Sequence, residues 1–177
     1  LQLSAVSVVI FYGAYRKERV SNGLMFATAM GYYIRFFNEG KTVNTPNIII
    51  SEIDLERLER LLESLPANAF PGKTALEAEL DRAEIVPATE MPDNVVTMNS
   101  LVKFSVSSSN DTFCLRLVYP KDANGEGTIS ILAPVGSALL GLSQGDDIEW
   151  PGPGGTMVKV RIEEIVYQPE RSGDFHR

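Results

Sequence analysis

Hydrophobic positions follow two different rhythms along this chain, and the change comes near Glu90. In "IIISEIDLERLERLLESL" the residues Leu55, Leu58, Leu62 and Leu65 recur at steps of three and four, which makes one apolar seam on an amphipathic helix. Ser51 stands where an N-cap belongs, and Asp54, three residues on, is an acidic relative of the capping box. Ile50 and Leu55 take the positions of a hydrophobic staple, and Pro66 is expected to stop the helix. After the turn "PANAFPG" a second helix is expected from Thr74, with Glu77 completing a capping box, Leu76, Leu80 and Ala83 as its seam, and Pro87 as its end. Two helices of about 12–14 residues joined by a short loop predict an antiparallel hairpin, an arm about 20 Å long.

Beyond "EMPDNV", Glu90 to Val95, the period shortens to two. "VVTMNSLVKFSV" and "TFCLRLVY" read as strands, the latter with Phe113, Leu115, Leu117 and Tyr119 on one face and Cys114, Arg116 and Val118 on the other. "GTISILA", "DDIEW" and the long "TMVKVRIEEIVYQ" add three more. In the last run the apolar phase holds at Val158, Val160 and Ile162 and then switches to Ile165 and Tyr167, which predicts a bulge at Glu163–Glu164. A short apolar helix, Ser137 to Leu142, falls between the third and fourth of these strands. The expected class is α+β: a helical hairpin followed by a small antiparallel sheet with one covering helix.

The first 42 residues fit neither rhythm. "LQLSAVSVVIFYGAY" is apolar, but it has no basic residues before it and falls short of the roughly 20 apolar residues that span a bilayer. Charge divides at the same place: residues 1–42 carry a net +3, and the remainder −10 of the total −7. The expectation is that residues 1–44 are an upstream extension outside the fold. Val43 would then correspond to a GTG start codon, with a ribosome-binding core encoded at Glu39-Gly40.

The overall negative charge argues against a broad electrostatic grip on nucleic acid, so sequence-specific binding to it is not expected. The single cysteine, Cys114, excludes an internal disulfide framework and fits a reducing, cytoplasmic setting. Cys114 is expected to be a buried structural thiol, since no histidine neighbours it in sequence. His176, the only histidine, sits in a polar tail, and no spacing suggests a metal site or cofactor. "GKT" at Gly72–Thr74 lacks the glycine five residues before it, with Ala67 there instead, so it reads as a helix cap and not a P-loop. The glycine-rich "ILAPVGSALLGLSQGDDIEWPGPGG" at first suggests a phosphate cradle. Gly136 and Gly141 are five apart, however, with Ala138, Leu139 and Leu140 between them, so these glycines shape turns.

The same stretch resembles the C-terminal domain of the bacterial Gre transcript-cleavage factors, whose pattern runs approximately S-P-[LM]-[GA]-x-A-L-L-G-[KR]-x-x-G-D-x-[VI] before a P-G-G hairpin. Within that family "IIIS", "EMPDNVVTMNSLVKF", "LVYP" and "VYQPE" are most similar to the Rnk-type members, which influence nucleoside diphosphate kinase levels. The resemblance covers about residues 45–177 and divides them into a coiled-coil hairpin, 45–90, and an FKBP-like domain, 91–177. It implies RNA polymerase as partner, with the domain docked at the rim of the secondary channel and the arm pointing inward, and a monomeric, membrane-free protein.

Gre factors carry acidic residues at the arm tip that hold a second Mg²⁺ for RNA hydrolysis. Here the tip, Pro66, Ala67, Asn68, Ala69, Phe70 and Pro71, has none, and the arm is about half as long as theirs. The resemblance therefore implies a non-enzymatic competitor of Gre factors. Gre factors have Asp-Ser-Pro where this chain has Leu132-Ala133-Pro134, so only the proline carries over. An apolar docking patch of Pro134, Val135, Leu139 and Leu140 is expected, although Leu139 and Leu140 would serve equally as core. Three alternatives stand beside this one: residual cleavage, prolyl isomerisation, and direct regulation of the kinase.

Overall fold

The computed structural model describes residues 46–67, 69–70, 72–106, 111–151 and 157–175. The expected upstream extension, His176, and the tip residues Asn68 and Pro71 lie outside these. None of the described helices is long and apolar enough to cross a membrane.

The chain enters as a short strand, β1 (Ile49–Ser51), and passes directly into helix α1 (Glu52–Glu63). Ser51 caps α1, its Oγ accepting from the Asp54 N–H at 3.1 Å, as its place in the sequence predicts. The helix ends before Pro66: Ser64 is the C-cap, and its N–H is already turned back to the Arg60 carbonyl. Helix α2 (Lys73–Asp81) begins one residue earlier than expected, and its cap is Gly72 with no side-chain hydrogen bond, so Thr74 and Glu77 form no capping box. It also stops well short of Pro87, because Glu84–Val86 is drawn out as strand β2, parallel to β1, with Ile50 opposite Ile85. Leu58 and Leu62 of α1 and Leu76 and Leu80 of α2 are buried along the predicted seams.

The body is a five-stranded sheet built from β3 (Leu101–Val106), β4 (Asp111–Val118), β5 (Thr128–Ser130), β6 (Asp147–Pro151) and β7 (Met157–Tyr167), with spatial order β5-β4-β3-β7-β6. Two features correct the sequence reading. The sheet is mixed, since β5 runs parallel to β4: a turn at Pro120–Asp122 leads the chain back so that Thr128 lies beside Arg116. Residues Val96 to Ser100 are not strand but a buried turn in which Asn99 takes a φ of 63°.

The bulge forecast for β7 is present. Lys103 pairs with Glu164 and Phe104 with Ile162, which leaves Glu163 as the extra residue. A second slip, from Ile165 to Tyr167, puts Val166 out of register and in solvent. Cys114 is exposed, not buried, because it shares the outer face of the sheet with its partner Lys103, while Phe113 points inward and stacks on Phe104 at 5.5 Å. The apolar core runs without a break from the arm into the body, joining Ile50, Leu58 and Leu76 to Phe104, Leu117, Leu139 and Ile162.

Candidate functional site

Helix α3 (Pro134–Leu139) and its C-cap Leu140 carry the residues expected to dock a partner. It starts three residues before the expected Ser137, because Pro134 supplies the fixed φ that suits a first helical position. Ala133 is the N-cap; its N–H donates to the Ser130 carbonyl and its own carbonyl accepts from Ser137 N–H, both at 2.9 Å. Gly136 lies so close to β5 that a Cβ there would sit 2.0 Å from the Ser130 carbonyl oxygen, so only glycine lets the helix settle on the strand.

This seating sorts the four expected contact residues. Leu139 and Leu140 are buried and belong to the core, whereas Pro134 and Val135 remain half-buried at the surface, next to half-buried Leu132 and Ala133. The apolar surface that solvent reaches at α3 is therefore Leu132 to Val135. Leu139, at the last helical position, and Leu140, the extended C-cap, are both inaccessible and join the core.

Gly141 follows in the left-handed region at φ 76° and ties α3 to the arm. Its N–H donates to the Val96 carbonyl at 2.8 Å, and its carbonyl accepts from the Ile49 N–H at 3.2 Å. Asp146 and Asp147, read as turn residues, differ in role. Asp146 accepts from the Ser143 N–H, while Asp147 is in β6 and pairs with Lys159 at 2.7 Å.

The arm tip is held by backbone and by one lysine. Ala69 N–H donates to the Pro66 carbonyl at 3.0 Å, and Phe70 packs against the core with its carbonyl accepting from Lys73 N–H. Lys73, the lysine of "GKT", is buried, and its Nζ donates to the Leu65 carbonyl at 2.8 Å across the tip turn. It serves arm closure, not a phosphate. Pro66, Ala67 and Ala69 are exposed. The described residues contain no cluster of three or more histidine, cysteine or acidic side chains able to hold a metal ion.

One polar site escaped sequence reasoning. The carboxylate of Asp54 does not fold back on its own helix as a capping box would. Buried at the foot of α1, it accepts from the Met98 N–H at 3.1 Å and from the Tyr119 hydroxyl at 3.2 Å. Burial pushes its pKa up from 3.8 to about 6, helped by the charge of Glu170 and opposed by the two donors and Arg57. The Tyr119 phenol is likewise pushed well above its usual value by burial and by the neighbouring Asp54 charge.

These two halves match two separate family models. The Rnk N-terminus model matches residues 46–86, and the model of the C-terminal part of transcription elongation factors GreA/GreB matches residues 91–167. The regulator of nucleoside diphosphate kinase of Escherichia coli (strain K12) is 46% identical over 134 residues, 75% of this chain and 98% of that protein. The chain belongs to the Rnk family.

Transcription elongation factor GreA of Helicobacter hepaticus is a more distant relative, 29% identical over 142 residues that cover 72% of this chain and 86% of that protein. Among solved structures, a prokaryotic transcription elongation factor GreA/GreB from Nitrosomonas europaea shares 62% identity with a TM-score of 0.58, over 69% of this chain and 99% of that one. The family is thus one of Gre-like transcription regulators. The boundary between the two models falls just after β2, so the Asp54 contacts with Met98 and Tyr119 join the segment matched by one to the segment matched by the other.

Proposed function

We propose that this chain is a non-catalytic regulator of RNA polymerase that docks at the rim of the secondary channel and competes there with Gre factors. In this reading the 91–177 domain is FKBP-like and binds through Leu132 to Val135 of the α3 segment. The 45–90 arm is a short antiparallel coiled coil whose tip enters the channel. The observation that carries the reading is the arm itself. Its tip has no carboxylate between Ser64 and Lys73, and its helices are only 12 and 9 residues long. At 1.5 Å per residue α1 spans about 18 Å, too short to deliver a metal-holding group deep into a channel even if one were present.

Such a protein occupies the entry without supplying the second metal, so it blocks cleavage and cannot perform it. Any change in nucleoside diphosphate kinase levels then follows from altered transcription. Added to arrested elongation complexes together with a Gre factor, it should slow transcript cleavage in proportion to its concentration, and alone it should release no RNA fragments. Cleavage stimulated by this protein alone would overturn the reading.

A further inference from the structure

Among the described residues the buried polar side chains are few, and most gather where arm meets body. Ser51, Asp54, Thr97, Ser100 and Gln168 are all nearly inaccessible. Asp54 approaches from α1. On the body side the Thr97 hydroxyl donates to Glu170 at 2.7 Å, and its N–H donates to Ser100 Oγ at 3.1 Å. Gln168 clamps the adjoining turn, its amide donating to the carbonyls of Pro92 and Val95 at 2.8 and 2.7 Å. The groups that face Asp54 are thus Tyr119 at the end of β4, Arg57 one turn along α1, and Glu170 in the turn after β7.

Apolar burial between arm and body is non-directional and tolerates tilt. Hydrogen bonds add direction to that packing, and Asp54 receives two of those that cross the junction, from donors on different elements; Ile49 N–H to Gly141 carbonyl is another. We propose that Asp54 is the positioning residue that sets the angle of the helical arm against the sheet body, by holding Met98 and Tyr119 together on one carboxyl group at the foot of α1. This role concerns arm geometry and stands whether or not the polymerase reading holds.

A proton-dependent consequence follows. In an arm swung away from the body Asp54 would meet water and titrate as an ordinary carboxyl, whereas in the held arm its pKa is raised to about 6. Protons therefore favour the held arm, and the ratio of released to held arms should rise about tenfold between about pH 5 and about pH 7.5.

The test uses the full chain with nitroxides on Cys114, its one exposed cysteine, and on Glu59→Cys, an exposed position of α1. Pulsed electron resonance should give one narrow distance in the otherwise native protein, a broad distribution in Asp54→Ala, and a narrow one again in Asp54→Asn, which keeps an acceptor for Met98 and a donor for Tyr119. If Asp54→Ala does not fold, Tyr119→Phe removes one of the two donors, keeps the ring and should also broaden the distance. Hydrogen-exchange protection of the Met98 amide should fall about tenfold between about pH 5 and about pH 7.5 in the native chain and stay level in Asp54→Asn. A narrow distance in every folded variant, or the same pH response in Asp54→Asn, would overturn the assignment.

Discussion

Replacing Asp54 by asparagine gives a stability change whose sign is opposite to that of most carboxylates. In the folded chain the Asp54 pKa lies near 6 against 3.8 when exposed, so between these values the native state holds a proton that the unfolded chain has lost. Stability must then fall as pH rises through that window, because the unfolded state is the one that binds fewer protons. The full difference corresponds to about 3 kcal/mol, all of it a cost of keeping a carboxylate buried at neutral pH. About 2 kcal/mol of that should develop between about pH 4.5 and about pH 7.

The substituted amide cannot ionise. The perturbation is thus read as the difference in unfolding free energy between native chain and Asp54→Asn, measured by urea titration across that range, which cancels every other titrating group. The native chain should lose about 2 kcal/mol relative to the variant as pH rises, and the curve should flatten above about pH 7. A difference that is constant with pH, or one that favours the native chain at high pH, would show that Asp54 is ionised without penalty and that burial at the junction does not govern it.

Three further outcomes follow from particular positions. Gly141→Ala forces a Cβ into the left-handed region and to 2.6 Å from the Ile48 Cβ, so it should cost about 2–4 kcal/mol, whereas Gly125→Ala, also left-handed but in open space, should cost only about 1 kcal/mol; thermal melts of the two separate crowding from strain. Val135→Glu should weaken polymerase binding about tenfold in a titration while the chain still unfolds cooperatively, with a modest loss of melting temperature because the half-buried side chain also packs against the core. The double change Ala67→Asp with Phe70→Glu puts acids at the tip but leaves the arm short, so no transcript cleavage should appear in an elongation-complex assay.

What could be read from sequence was whatever is local and periodic. The seam Leu58, Leu62, Leu76, Leu80, the Ser51 cap and the Glu163 bulge all announce themselves through spacing and phase. Strands β1 and β2 do not, because three residues each are too few to show a period, and their pairing joins residues across the whole arm. Those pairings also explain why α2 ends at Asp81 and not at Pro87. Exposure of Cys114 was in fact legible, since it alternates in phase with Arg116 and out of phase with Phe113 and Leu117. Preference for burying a lone thiol misled where alternation was the better guide. The partners of Asp54, 44 and 65 residues away, had no local signal at all. An acid at the third helical position looks like a capping residue until its carboxyl is seen to leave the helix.

The most direct test of the regulatory account is equilibrium binding of the full chain to core RNA polymerase with a Gre factor titrated in. The account predicts saturable binding that the Gre factor displaces completely, with an apparent affinity that weakens in proportion to competitor. Tight binding untouched by any excess of Gre factor would place the contact elsewhere on the polymerase and contradict the shared-site claim.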